Sequence, residues 1–379
     1  MLETISKGTV MNHKLLDLYS DYLIASFSYT TATGLSALVD NAYSHDQITR
    51  FLGQKLYDQK RYWQTIKPIV REVEQEDGVL VIDDTIEEKP YTDENDIVCY
   101  HFDHTKGKTV KGINIVNFLY HVGRAEDEAM SLPVAFEIVS KTEVYQDKKT
   151  GKFKRRSKVS KNELVRARLK LLARRNRLKF KYVIWDSWFS AKENMKLVKK
   201  ELHKEFVAAL KSNRLVALSE QDKREGQFVA VSAVDIKPGQ SRLVYLKGLD
   251  FPVVLVKQVF TNKDGSSGTL YLVCSDTSLT YTEITAIYQK RWNVETFHKS
   301  LKQNAMLAKS PTKTVRSQSN HIFAAMIAFI KLEQMKLKHN TNHFALKSKL
   351  YLKALKVAFS ELSTFNTCHN SSLVKSSSA

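Results

Sequence analysis

Cysteine is scarce. The 379 residues hold three, Cys99, Cys274 and Cys368, far apart and odd in number. That argues against a disulfide framework or a cysteine-built zinc site, and fits a reducing compartment. Long apolar runs are missing too. The longest, Ile322 to Ile330, is cut off by Lys331 and falls short of the roughly 20 residues a bilayer helix needs. The start, Met1-Leu2-Glu3-Thr4, has no basic stretch leading into an apolar one, so no secretory leader is expected. No internal repeat is found. Acidic residues are outnumbered, 40 against 59 Lys and Arg, leaving a formal charge of +19. Such a balance favours a polyanionic partner, because Lys and Arg neutralise phosphates and release counterions. The plainer alternative is a basic cytosolic or ribosome-associated protein. At 43% hydrophobic residues, the chain can fill more than one core. A soluble, cytoplasmic protein is expected.

What is present falls into five stretches. Residues 1–75 read as a helical domain. Ser44-His45-Asp46-Gln47 has the form of a capping box, followed by Ile48, Phe51 and Leu52 at helical spacing. Leu35, Leu38, Val39 and Ala42 precede it with the same period. Two short helices and a tight turn suit either a DNA-reading helix-turn-helix or a small packing module. Residues 76–205 open with Val79-Leu80-Val81-Ile82, an apolar run typical of a buried strand. Further strands are expected over Ile113–His121 and Pro133–Val139, forming an antiparallel meander, with the acidic stretch Glu126–Glu128 between them. The basic stretch 141–181 leads through a capping box at Ser160-Lys161-Asn162-Glu163 into a helix ending near Arg177. Its Arg166, Lys170, Arg174 and Arg177 form either a solvated face or a phosphate contact. Tyr182-Val183-Ile184-Trp185 repeats the buried-strand pattern, and a helix over 191–202 follows. Residues 206–275 are β-rich, with a hairpin turn at Asn262-Lys263-Asp264-Gly265. Residues 276–335 return to helix, first from Tyr281 to Gln303 and then from Asn320. Residues 336–379 form a basic helical segment, and Ser376 to Ala379 a disordered tail.

The informative acids end strands. Asp84 and Asp186 each close a short apolar run. Burying a carboxylate costs several kcal/mol unless it is paired or bound to metal, and strand ends of an open α/β sheet are where ligand sites gather. An ordinary Asp at a strand-to-loop junction is the plainer alternative. In the helix from Tyr281, the residues Tyr288, Arg291, Glu295 and Lys302 follow one another at intervals of 3, 4 and 7, which puts all four on one face. A solvated face with i,i+4 ion pairs would account for the charges but not for Tyr288. In-line phosphodiester cleavage accounts for more. It is served by two divalent cations about 3.5–4 Å apart, and hard cations such as Mg²⁺ want carboxylate oxygens. Asp84, Asp186 and Glu295 can supply them, while Arg291 and Lys302 hold the flanking phosphates.

With these residues in place, the chain resembles the DDE transposases of bacterial insertion sequences, in particular the insertion-sequence-four family. That family's signature is Tyr, two residues, Arg, three residues, Glu, six residues, Lys, and it stands complete here from Tyr288 to Lys302. Asp83-Asp84-Thr85 resembles the first-aspartate motif, with the acid before Thr85 matching Asp84, and Trp185-Asp186-Ser187 resembles the second. Asp83 and Asp84 point to opposite faces of a strand, so one of them faces the metal; Thr85 selects Asp84. Glu87 and Glu88 read as loop acids, Trp292 as a packing residue, and His298 as packing or touching DNA.

The resemblance implies an α/β protein with a ribonuclease-H-like mixed-sheet core, a β-rich insertion over 206–275 and an N-terminal helical domain. It implies a transposase that cuts the ends of its element with two Mg²⁺ ions, Mn²⁺ substituting, and joins the 3′-OH ends to target DNA. Asp84, Asp186 and Glu295 are then the catalytic, metal-holding residues. Tyr288, Arg291 and Lys302 contact DNA, Tyr288 near a flipped base in relatives that form hairpins. The Trp that supports such a base in the family's β-insertion has no counterpart, since the four Trp stand at 63, 185, 188 and 292. The partners implied are double-stranded DNA, as element ends and target, and a second copy of the chain in a synaptic complex, with no membrane. Two rivals share the scaffold: a nuclease without strand transfer, and a silent DNA-binding derivative.

Overall fold

A computed structural model describes residues 12–54, 58–123, 129–261 and 264–375, with side chains to residue 365. Glu126–Glu128, the first half of the Asn262–Gly265 turn, and the serine tail lie outside the described residues. In chain order the helices and strands are α1 (His13–Ala25), α2 (Ala32–Leu38), α3 (His45–Gly53), α4 (Gln59–Val73), β1 (Val79–Glu88), β2 (Cys99–Asp103), β3 (Lys108–Val122), β4 (Met130–Ile138), β5 (Glu143–Gln146), β6 (Phe153–Arg156), α5 (Lys161–Lys170), β7 (Tyr182–Trp185), α6 (Lys192–Lys196), β8 (Glu205–Leu210), β9 (Leu215–Ala217), α7 (Glu220–Glu225), β10 (Val229–Ala230), β11 (Ser241–Leu246), β12 (Val253–Thr261), β13 (Ser267–Cys274), α8 (Tyr281–Gln289), α9 (Trp292–Gln303), α10 (Val315–His339) and α11 (His343–Lys375). Both α5 and α6 continue for five residues as π-helix, Leu171–Arg175 and Leu197–Glu201.

Two units share the chain. One comprises residues 1–55, 299–312 and 320–379; the other comprises 56–298 and 313–319. The first is helical. Ser44 and Gln47 form the expected capping box at the start of α3, which buries Ile48, Phe51 and Leu52. The buried Tyr19 hydroxyl lies 3.0 Å from His321 Nδ1. No described helix is long and apolar enough to cross a membrane.

The second unit is built on one mixed sheet of eleven strands, ordered β10-β9-β11-β12-β13-β8-β7-β1-β3-β2, with β4 also on β3. With its flanking helices this is the α/β, ribonuclease-H-like architecture that the resemblance implies. The centre is parallel: β1 pairs with β7, and β7 with β8. Val79 to Ile82 and Tyr182 to Trp185 are buried, as short apolar runs in strands covered on both faces must be. The expected meander exists as β1, β3 and β4, all antiparallel, but β2 adds to it along the first part of β3. The β-rich stretch is continuous with this sheet: β13 pairs with β8, β12 with β13 and β11 with β12. Cys99 and Cys274 are buried free thiols.

Three expectations need correction. Glu87 and Glu88 are strand residues, because β1 runs on through them. Trp292 does not pack: it is 65% exposed, with the Arg291 guanidinium 5.5 Å from its ring. The helix expected from Tyr281 to Gln303 is two helices. Between them, Arg291 N–H donates to the Tyr288 carbonyl, Asn293 to Lys290 and Val294 to Arg291. These are three-residue spacings, so the chain tightens and turns there rather than continuing an α-helix.

Candidate active site

Parallel register places the first two acids. β1 and β7 pair Val79 with Tyr182 and so on to Ile82 with Trp185. One step further along both strands stand Asp83 and Asp186. Residues level with one another on neighbouring strands share a face, and neighbouring strands lie about 4.8 Å apart. On its other side Asp83 is level with Asn117 of β3. Asp84, the next residue, points to the opposite face. There its Oδ2 lies 3.0 Å from Lys161 Nζ and accepts from the Asn114 amide. The acid beside Asp186 is therefore Asp83, not the Asp84 that Thr85 selects.

Local hydrogen bonds orient both carboxylates. Asp83 Oδ1 accepts from the Asp84 backbone N–H at 2.8 Å. Asp186 Oδ1 accepts from the backbone N–H groups of Trp188 at 2.9 Å and Phe189 at 3.4 Å, which folds the strand end into a turn.

The α8–α9 junction brings the basic and third acidic groups. Arg291 Nη1 lies 3.0 Å from Asp83 Oδ2 and 3.6 Å from Glu295 Oε1, so one guanidinium bridges the middle of β1 and α9. Glu295 sits in the first turn of α9, at the positive end of the helix dipole. Its side chain is half exposed, whereas those of Asp83 and Arg291 are largely covered. His298, one turn on, is buried with its Nε2 3.1 Å from the Asn117 amide, so it ties α9 to β3. Tyr288 is buried in the same cluster. Burial pushes its hydroxyl up to about 12, with Arg291 lowering it and Asp186 and Asp83 raising it. Lys302 lies two turns beyond Glu295, in the last turn of α9.

The electrostatics are those of crowded acids. Burial, and then the charge of Asp186, push the Asp83 carboxyl up to about 7, against the pull of Arg291 and the Asp84 N–H. Two hard oxygen donors held side by side at that cost suit a divalent cation, which favours the ionised form of both. Among the described residues, no three His, Cys, Asp or Glu side chains are already gathered to hold a metal. Glu295, turned toward Arg291, would have to swing to join the pair. The donor set thus fits Mg²⁺, with two acids preplaced and one adjustable.

Sequence reasoning weighed Asp83 and set it aside for Asp84, and it did not single out Asn117 or the junction. A signal for the first exists: Asp83 and Asp186 each directly follow a run of four apolar residues. Matching the runs selects Asp83.

Two protein-family models match the chain. The family described as DDE superfamily endonuclease matches residues 8–227, more than half of the chain. The transposase DDE domain matches residues 154–330, which include Asp186 and the helix carrying Glu295. No curated protein matches.

Proposed function

Because the chain belongs to the DDE superfamily endonucleases, we propose that it is a DNA transposase, of the insertion-sequence-four type, that cuts the ends of its element and joins the freed 3′-OH groups to target DNA. One observation carries the assignment of residues: the β1–β7 register that sets Asp83 level with Asp186, with Arg291 reaching from the α8–α9 junction to Asp83 and Glu295. In this reading Asp83, Asp186 and Glu295 hold Mg²⁺, and Asp84 takes a supporting role through Lys161. Two such ions, when bound, would activate the attacking oxygen and stabilise the leaving oxygen.

The chain's own groups do the positioning. The backbone N–H groups of Trp188 and Phe189 fix Asp186, and the Asp84 N–H fixes Asp83. Arg291 neutralises Asp83 in the free protein. When DNA binds, its guanidinium can turn to a phosphate, which accepts the same forked pattern of donors. Tyr288, being buried, acts on DNA through Arg291 rather than by direct stacking. Lys302 extends the basic face of α9 toward phosphate. Element ends and target are double-stranded DNA, and pairing two ends calls for a homodimer.

Strand transfer is tested separately from cutting. DNA with pre-cut 3′-OH ends is incubated with supercoiled plasmid and Mg²⁺. Joined products are expected. Cutting of uncut ends without any joining would reduce the protein to a nuclease.

A further inference from the structure

A groove separates α4 from the helix that begins at Lys161. It encloses about 570 Å³, and its walls include Lys60, Trp63, Gln64 and Lys67 of α4 and Arg168 and Arg175 of the facing helix. Lys60, Gln64 and Lys67 follow the helical repeat and share one face. Arg168 and Arg175 lie two turns apart, the second on the π-helical extension of α5. Four cations thus converge on one concave surface.

Their internal neutralisation is slight. Arg168 pairs with Glu137. The one acid in the groove, Asp58, caps α4 by accepting from the Arg61 N–H at 2.8 Å. Among the described residues, Lys60, Lys67 and Arg175 have no acidic side chain within ion-pairing distance. A solvated helix face would spread such charges outward. Here two elements line the same volume with them. Like charges so gathered destabilise the fold unless an anion enters.

The spacing selects the kind of anion. Lys60 to Lys67 spans about 10 Å along α4, and Arg168 to Arg175 the same along its neighbour. Phosphates of one DNA strand recur every 3.4 Å of axis, so each wall spans about three phosphate steps. A linear polyanion fits both walls at once, whereas a single small anion would meet one end. Lys161, at the start of the facing helix, is ion-paired with Asp84, on the sheet face opposite Asp83; Arg168 and Arg175 lie about 10 and 20 Å further along.

We propose that this groove binds the phosphate backbone of duplex DNA. The proposal rests on the DNA-cutting reading above, and its contacts are to phosphates, hence independent of sequence. The test uses the full chain in EDTA, so that no cleavage is needed, and a fluorescent 30-base-pair duplex of arbitrary sequence. Affinity is measured from 50 to 300 mM KCl. Replacing Lys60, Lys67 and Arg175 together by Gln removes three phosphate contacts, so the salt slope becomes shallower by about 2–3 and affinity at 100 mM KCl falls at least about tenfold. Gln64→Glu, which adds one acid to the groove and removes nothing, also weakens binding and decides the matter should the triple variant fail to fold. Wild-type slope and affinity in the variants overturns the groove while leaving the DNA-cutting reading intact. A wild-type chain that binds no duplex at any of these salt concentrations ends both.

Discussion

The sharpest consequence of the strand register concerns two adjacent acids. Asp83→Asn keeps the shape of the side chain and removes its charge from the face shared with Asp186. If that carboxylate holds metal, its loss forfeits several kcal/mol of transition-state stabilisation. About 4 kcal/mol corresponds to about a thousandfold in rate. Stability should change little, because the variant loses the Arg291 pair but also the repulsion from Asp186, two effects of opposite sign. Asp84→Asn acts on the other face. It weakens a partly covered pair with Lys161, in which coulombic gain and desolvation largely offset one another, at a cost of about 1 kcal/mol. Cleavage should then stay within about fivefold of wild type. The assay is Mg²⁺-dependent cutting of DNA carrying the element's ends, with circular dichroism to confirm folding. A silent Asp84→Asn beside a fully active Asp83→Asn would refute the register argument.

Two further outcomes follow. Mg²⁺ at about 100 times its dissociation constant should stabilise the unit containing residues 56–298 by about 2.7 kcal/mol, seen as a higher melting temperature in wild type and not in Asp83→Asn; equal shifts in both would place the ion elsewhere. Acid stability should depend on Asp276: burial raises its pKa, but hydrogen bonds from the Ser278 and Tyr182 hydroxyls outweigh that and bring it down to about 2. Because the folded value is depressed, this contribution is complete above about pH 4 and is lost as the pH falls through about 2. Tyr182→Phe removes a donor 2.9 Å from Asp276 Oδ2 and should cost about 1 kcal/mol at pH 7, with a difference in urea midpoint that shrinks below pH 4; a constant difference would contradict it.

The legible parts of the sequence were those with a strong period. The β1 and β7 cores, the capping boxes at Ser44 and Ser160, and the strands β11 to β13 are all visible as runs, caps and turn residues. The exposed strands were not. β5 and β6 are short and largely exposed, and β2 buries Cys99 and His101 while exposing the larger Tyr100 and Phe102, so hydrophobicity does not mark its buried face. The break at Lys290–Arg291 was hidden for a different reason. Tyr288, Arg291 and Glu295 keep helical spacing through it, and only the three-residue hydrogen bonds of the folded chain reveal the turn. Thr85 points to Asp84 as the first acid, whereas Asp83 and Asp186 terminate runs of equal length and the pairing joins those runs level.

The sheet does not stop where the catalytic strands stop. β8 hydrogen-bonds on one side to β7, whose end delivers Asp186, and on the other to β13. Loss of the β12–β13 hairpin would strip β8 of a partner and bare its row of amide and carbonyl groups, an invitation to foreign strands. The hairpin thus supports, through β8, the strand that ends at Asp186. Evolution can lengthen its tip freely, but cannot discard its base without disturbing the aspartate two strands away.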